Sequence, residues 1–328
     1  MAYDFVCIGS ASIDHFAETD SELIKIQTRT TTEELIAYPL GSKLLINKLN
    51  ITTGGGGTNS AVALSRLGLN TAFLGKVGED SNGDVIIQSL EAEGVDFIGG
   101  REGQTGISII LDSISEDRSI LAFKGANNFL KLSDVIPFES KWVYLASMLG
   151  ESLGTVLDVV KARDCKLAFN PSNYQVELGD GQLLELISYV DLLIMNREEA
   201  CKLLGVSCEE NHDPQELMKS LEKFKPDMFV ITDGSRGVYV SDRRNFYHGV
   251  PLEGITVVET TGAGDALAAT FVAALSMGET YEYAIDMAMT NAESVIQRKG
   301  SKENLLYCKD IKKKIEQQQR HIAKAVLA

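Results

Sequence analysis

The chain is 328 residues long and 44% hydrophobic, with a formal charge of −15 at neutral pH and a pI near 4.8. Its length and its mean hydropathy of −0.01 allow a large α/β core. The acidity excludes a nucleic-acid backbone or an anionic membrane surface as partner.

Five cysteines (Cys7, Cys165, Cys201, Cys208, Cys308) include no C-x-x-C pair, and no histidine has ligand spacing. Reduced thiols are therefore expected, not disulfides or zinc. The start Met-Ala-Tyr-Asp has no basic n-region, and the longest apolar run, 266–275, is too short to span a bilayer. A cytoplasmic protein is expected.

In chain order, Phe5-Val-Cys-Ile-Gly9 reads as a central parallel strand. The following Ser10-Ala-Ser-Ile-Asp14 has no further glycine, which excludes a G-x-G-x-x-G dinucleotide loop. Residues 16–51 lack a helical period and carry Thr28-Arg-Thr-Thr-Thr32 and Tyr38-Pro-Leu-Gly41, so they read as strands and turns of a flap. Gly54-Gly-Gly-Gly57-Thr58-Asn59 then opens a helix over 60–67 that Gly68 stops. Such a backbone can approach a ligand closely, although a flexible loop before a capped helix has the same composition.

A strand at 71–77, a helix at 84–93 and a strand at 95–98 follow. Alternating runs at 107–111 and 119–123 flank Asp112-Ser-Ile-Ser-Glu-Asp117 and predict a hairpin that completes the flap. From Trp142 the pattern becomes regular. Strands are predicted at 142–146, 167–169, 192–195 and 228–232. Helices lie between and after them near 153–163, 182–189, 198–204 and 214–224. This alternation implies a parallel sheet with right-handed crossovers. Thr232-Asp-Gly234-Ser-Arg-Gly237 turns into 238–240, a strand is expected to end at 255–258, and helices are expected at 263–275, 281–297 and 310–326. Lysines 309, 312, 313 and 314 read as a solvated helix face.

The stretch Glu259-Thr-Thr-Gly-Ala-Gly-Asp265 organises the rest. A glycine turn opens a buried helix, whose first N–H groups lack intrahelical partners and carry partial positive charge, so the turn suits an anion. Asp265 can take a proton from a hydroxyl attacking phosphorus there, while a helix-capping role would fit the same heptapeptide. Asp14, Asn170, Asn196 and Asp265 are each expected after a strand, and open parallel sheets place ligands beyond those carboxyl ends. Walker A, protein-kinase and nucleophile-elbow motifs are absent.

With these motifs spread from Gly9 to Gly300, the chain resembles the PfkB carbohydrate kinases, the ribokinase-like family. Gly54–Gly68 looks like the family's first signature and Thr260–Asp265 like its second. Met195-Asn196-Arg-Glu-Glu199 is similar to its N-x-x-E motif, and Thr232–Gly237 to its nucleotide-ribose loop.

The resemblance implies a single three-layer α/β/α Rossmann-like domain over 1–328, with a mostly parallel sheet and a β-stranded lid from about 15–51 and 103–126. It implies ATP-dependent phosphorylation of a hydroxyl on a sugar or nucleoside, with a homodimer formed through the lid. Asp265 would be the base, with Gly262, Ala263 and Gly264 as anion hole. Asp14, Gly55, Gly56, Asn59 and Asn127 would surround the substrate, and Asn196, Thr232, Gly234, Gly237 and Asn291 the nucleotide. Glu199 and Asn196 would hold Mg²⁺ through water.

Two departures stand out. Glu259 replaces a common Asp linked to a monovalent-cation site, and Gly56 replaces a frequent Lys. Lys43, Arg118 and Lys124 read as solvated cations, but facing the cleft they would suit a phosphorylated sugar. A sensor that kept the fold and lost the activity is the alternative.

Overall fold

The computed structural model describes residues 2–19, 22–27, 32–37, 40–41, 43–112, 118–179, 181–208 and 213–326. The expected turn at 112–117 lies almost wholly outside these residues, as do 28–31 and 38–39.

The alternation in the first strand sets the layers. Phe5 and Cys7 enter one buried cluster and Val6 and Ile8 the other, so the Ala2–Ile8 strand is covered on both faces. It is one of ten strands. Their order across the sheet is Ile322–Val326, Asn245–Gly249, Val238–Ser241, Met228–Thr232, Leu192–Asn196, Lys166–Phe169, Glu139–Leu145, Ala2–Ile8, Thr71–Leu74 and Val95–Phe97. Pairings from Met228–Thr232 to Val95–Phe97 are parallel, and the remaining three are antiparallel. The chain runs outward from Ala2–Ile8 in both directions, so the sequence order reverses there. A crevice opens at such a switch point, beyond Gly9.

One cluster holds the Gly56–Arg66, Ala263–Ser276 and Tyr281–Val295 helices, and the other the Glu151–Lys161, Gly181–Ile187 and Pro214–Leu221 helices. In Ala263–Ser276, every residue from Ala266 to Ala274 is buried. Its alanines allow close approach to both neighbouring helices.

A second sheet forms the lid, in the order Arg118–Phe123, Gly106–Asp112, Ser12–Glu18, Lys48–Gly54. It begins at Ser12, earlier than the expected residue 15. Glu22–Gln27 and Thr32–Ala37 pair separately.

Three expectations need correction. The last helix is Cys308–Gln317, and Ile322–Val326 is instead an edge strand paired antiparallel with Asn245–Gly249. That pairing satisfies backbone groups that a helix would leave open at the sheet edge. Residues 255–258 form no strand, because the Val258 and Glu259 N–H groups both donate to the Ile296 carbonyl, at 2.7 and 3.1 Å. The expected 71–77 strand breaks at Gly75, where a Cβ would lie 2.4 Å from Phe73 and 2.8 Å from the Gly9 carbonyl oxygen.

Candidate active site

The glycine run packs directly onto the switch point. The Gly57 and Thr58 N–H groups donate to the Ser10 carbonyl, at 3.1 and 3.4 Å. Gly55, at φ 98°, caps the Gly56–Arg66 helix, and a Cβ there would lie 2.5 Å from the Ser10 carbonyl oxygen. A Cβ on Gly54 would overlap the Asp14 carboxylate, and one on Gly57 would fall 2.7 Å from Gly9. The run is therefore a rigid floor, with close approach rather than flexibility as its purpose.

Asp265 stands in the first turn of Ala263–Ser276. That helix starts from Gly262 in the left-handed region at φ 84°, with Ser301 pressed against it. The Asp265 Oδ2 accepts from Asn59 Nδ2 at 2.8 Å, and Asn59 Oδ1 accepts from Ser301 Oγ at 3.0 Å. Asn59 thus orients the carboxylate. Burial raises the pKa of Asp265 and Asp14 adds to the rise, while Asn59 and Lys302 pull it back.

The carboxylate lies on the boundary of two cavities. One, of 210 Å³, is walled by Ser12, Asp14, Gly55, Gly56, Asn59 and Asp265 among others. The other, of 350 Å³, is walled by Gly56, Asn170, Asn196, Glu199, Gly264 and Asp265 among others. Asp14 is buried in the lid strand Ser12–Glu18, not in a turn after a main-sheet strand, and its Oδ1 accepts from Ser12 Oγ at 2.7 Å. Asn170, Asn196 and Asp265 converge on the larger cavity.

Asn196 and Glu199 form a reciprocal cap, with the Asn196 N–H donating to Glu199 Oε2 and the Glu199 N–H to Asn196 Oδ1, both at 2.8 Å. Burial pushes the Glu199 carboxyl up to about 7, against the backbone N–H groups that favour its charged form. A buried carboxylate such as Glu199 at a cavity wall fits Mg²⁺, which keeps several waters and takes its remaining oxygens from phosphates.

A third cavity, of 640 Å³, adjoins the 350 Å³ one, with Thr232 and Gly264 shared. Gly234, Gly237, Val250, Leu252, Leu267 and Met289 are among its largely apolar walls. Gly237, at φ 99°, also sits so near the Gly249 carbonyl that any side chain would collide with it.

Two site expectations need revision. Asn291 lines none of these three cavities. It is fully buried, donates to Thr270 Oγ1 at 2.8 Å and accepts from the Leu306 N–H at 2.9 Å, tying two helices and a loop together. Its helix neighbours Met289, Ala292, Glu293 and Ile296 face the cavity instead. Asn127 does line both smaller cavities, but its amide is engaged with the backbone of Ala11 and Lys124.

Of the three candidate cations, Lys43 is exposed and the Arg118 side chain lies outside the described part. Lys124 faces the cleft and is not solvated as expected. Lys302 was missed altogether. Its Nζ donates to Thr58 Oγ1 at 3.1 Å, and burial lowers its pKa to about 8 despite Asp14, Glu93 and Asp265. No motif announces it, since it lies in the polar loop between the Tyr281–Val295 and Cys308–Gln317 helices.

Comparison with known proteins gives a consistent result. Residues 4–306 match the family described as pfkB family carbohydrate kinase. A ribokinase of Haemophilus influenzae is 30% identical over 278 residues, covering 81% of this chain and 88% of that one. A ribokinase of Staphylococcus aureus is 23% identical, covering 93% and 97%. Among solved structures, a ribokinase from Thermotoga maritima superimposes with a TM-score of 0.79 at 22% identity, covering 96% and 99%. A nucleoside kinase from Methanocaldococcus jannaschii gives 0.76 at 19%, covering 96% and 98%. With a ribokinase-like fold and a family match across nearly its whole length, the chain belongs to the PfkB carbohydrate kinases.

Proposed function

We propose that this protein transfers the γ-phosphoryl group of ATP to a hydroxyl of ribose or a related sugar. The observation that carries the reading is Asp265 standing between two cavities at the start of a helix, held there by Asn59. The 210 Å³ cavity has room for a pentose, and Asp14 and Asp265 can accept its hydroxyls. The 350 Å³ cavity takes the phosphates and the 640 Å³ apolar slot the adenine, with Thr232, Gly234 and Gly237 along its rim.

In the step itself, Asp265 receives the proton of the attacking hydroxyl while the O–P bond forms and the bond to ADP breaks. The N–H groups of Gly262 and Gly264, flanking an Ala263 whose own N–H donates to the Thr260 carbonyl at 3.2 Å, stabilise the charge that gathers on the transferred group. Glu199, with Asn196 holding it, would bind Mg²⁺ through water. The ion would neutralise phosphate charge and fix the phosphates in line. A monovalent cation would sit beside Glu259, whose Oε1 already gathers the Thr261 N–H and hydroxyl. Closure of the lid would keep water from taking the phosphoryl group. The lid also exposes Ile51, Ile109, Leu121 and Phe123, an apolar row suited to covering by a second copy in a homodimer.

The test is a coupled ADP-release screen over pentoses, hexoses, nucleosides and sugar phosphates, with Mg²⁺ present. Acceptor-dependent ADP formation with a pentose or related sugar is expected. Ligand-induced thermal stabilisation without any ADP would refute the kinase and leave a sensor.

A further inference from the structure

Lys124 follows the last lid strand and leads into the Gly125–Asn128 turn. Its carbonyl accepts from the Asn127 N–H at 3.1 Å and from Asn127 Nδ2 at 2.9 Å, so its backbone is pinned to the site independently of its side chain. The residue walls both smaller cavities, as do Ser10, Gly56, Asn127 and Asp265. It is the one cationic residue in either lining among the described residues.

Other buried cations have partners. Lys76 meets Glu102 and Asp134, Arg320 meets Asp286 and Glu293, and Lys302 meets Thr58. The Lys124 ammonium has no hydrogen bond or ion pair among the described residues; burial lowers its pKa, and the field of the Asp14 carboxylate partly offsets that. A half-buried ammonium that feels one carboxylate only through space, with no hydrogen bond, is costly unless a ligand completes it. A Cβ on Gly56 would crowd Ala146 at 3.3 Å and touch Asp265 Oδ1 at 3.4 Å, so glycine there leaves the carboxylate uncovered.

Two anions could complete it: the group in transit, or a charged acceptor. The smaller cavity already holds the buried Asp14 carboxylate beside Asp265, and a further fixed anion there would be repelled by both. Only the transferring group passes from one cavity to the other. We propose that the Lys124 ammonium binds the transferring phosphoryl group at the junction of the two cavities. This rests on reading those cavities as donor and acceptor sites. Lys124 makes and breaks no covalent bond; the proton goes to Asp265 and the bond to ADP breaks as the new O–P bond forms.

The experiment compares the full-length protein with Lys124→Met and Lys124→Arg by calorimetry, with Mg²⁺ present and using ADP and the non-hydrolysable analogue AMP-PNP as probes. Melting temperatures matched to the parent establish folding. Lys124→Met is expected to weaken AMP-PNP by about 10- to 100-fold while ADP changes by less than about twofold, and Lys124→Arg to restore most of the loss. Equal effects on the two nucleotides would overturn the proposal. So would an unchanged AMP-PNP affinity with loss of ribose 5-phosphate binding, which would assign Lys124 to an anionic acceptor. A parent protein that binds neither nucleotide would refute the kinase reading together with this one, whereas tight nucleotide binding indifferent to residue 124 would refute this one alone.

Discussion

Replacing Glu199 by Gln isolates one buried proton. The glutamine keeps the reciprocal cap, because its carbonyl oxygen can still accept from the Asn196 N–H. In the parent, burial lifts the carboxyl from 4.5 to about 7. The folded state therefore holds this proton more tightly than the unfolded chain does. Below the unfolded value both states are protonated and nothing is lost. As pH rises through the window between 4.5 and about 7, the unfolded state ionises first and stability falls. A shift of this size corresponds to about 3.4 kcal/mol in all, of which about 2.5 kcal/mol falls between about pH 5 and pH 8. Denaturant midpoints measured across that range give the assay. The parent should lose about that much more stability than Glu199→Gln as pH rises. Parallel curves for the two proteins would refute the argument, because Glu199 would then ionise as freely in the fold as in the unfolded chain.

The remaining predictions concern Asp265, its turn and a core amide. Asp265→Asn should keep the melting temperature while lowering turnover by about 10²–10⁴ under saturating acceptor; a loss smaller than tenfold would remove it as the base. Gly262→Ala forces a side chain into a left-handed position 2.6 Å from Ser301. It should cost at least about 1–3 kcal/mol in a denaturant titration and depress turnover with it, and an unchanged midpoint would show that the turn is not constrained. Asn291→Ala strands the Leu306 N–H and should cost about 1–3 kcal/mol while leaving the KM for ATP within about twofold. A large KM change at unaltered stability would return Asn291 to the nucleotide site.

The architecture and the placing of Asp265 at a helix start were largely readable from local rules. Continuous apolar runs such as Phe5-Val-Cys-Ile announced buried parallel strands with a ligand beyond their carboxyl ends; the strand order then puts the switch point beyond Gly9. The glycines at 54–57 and 262 implied close approach, and at 54, 55, 57 and 262 neighbours 1.8–2.7 Å from would-be side chains give the reason. Periodicity failed at the C-terminus, where Ile-Ala-Lys-Ala-Val suits a helix by composition. The unpaired edge of Asn245–Gly249 makes it a strand.

What the sequence by itself determined was the parallel sheet, the glycine turn and an acid at the head of a buried helix, because φ preference, helix period and capping act over a few residues. Tertiary structure decided how the charges are distributed. It brought Lys302 to Thr58 and turned Lys124 into the cleft, and it committed Asn291 to Thr270 and Leu306 instead of a nucleotide. Burial and electrostatic partnership depend on which distant segments meet, and no short window of sequence contains both members of such a pair.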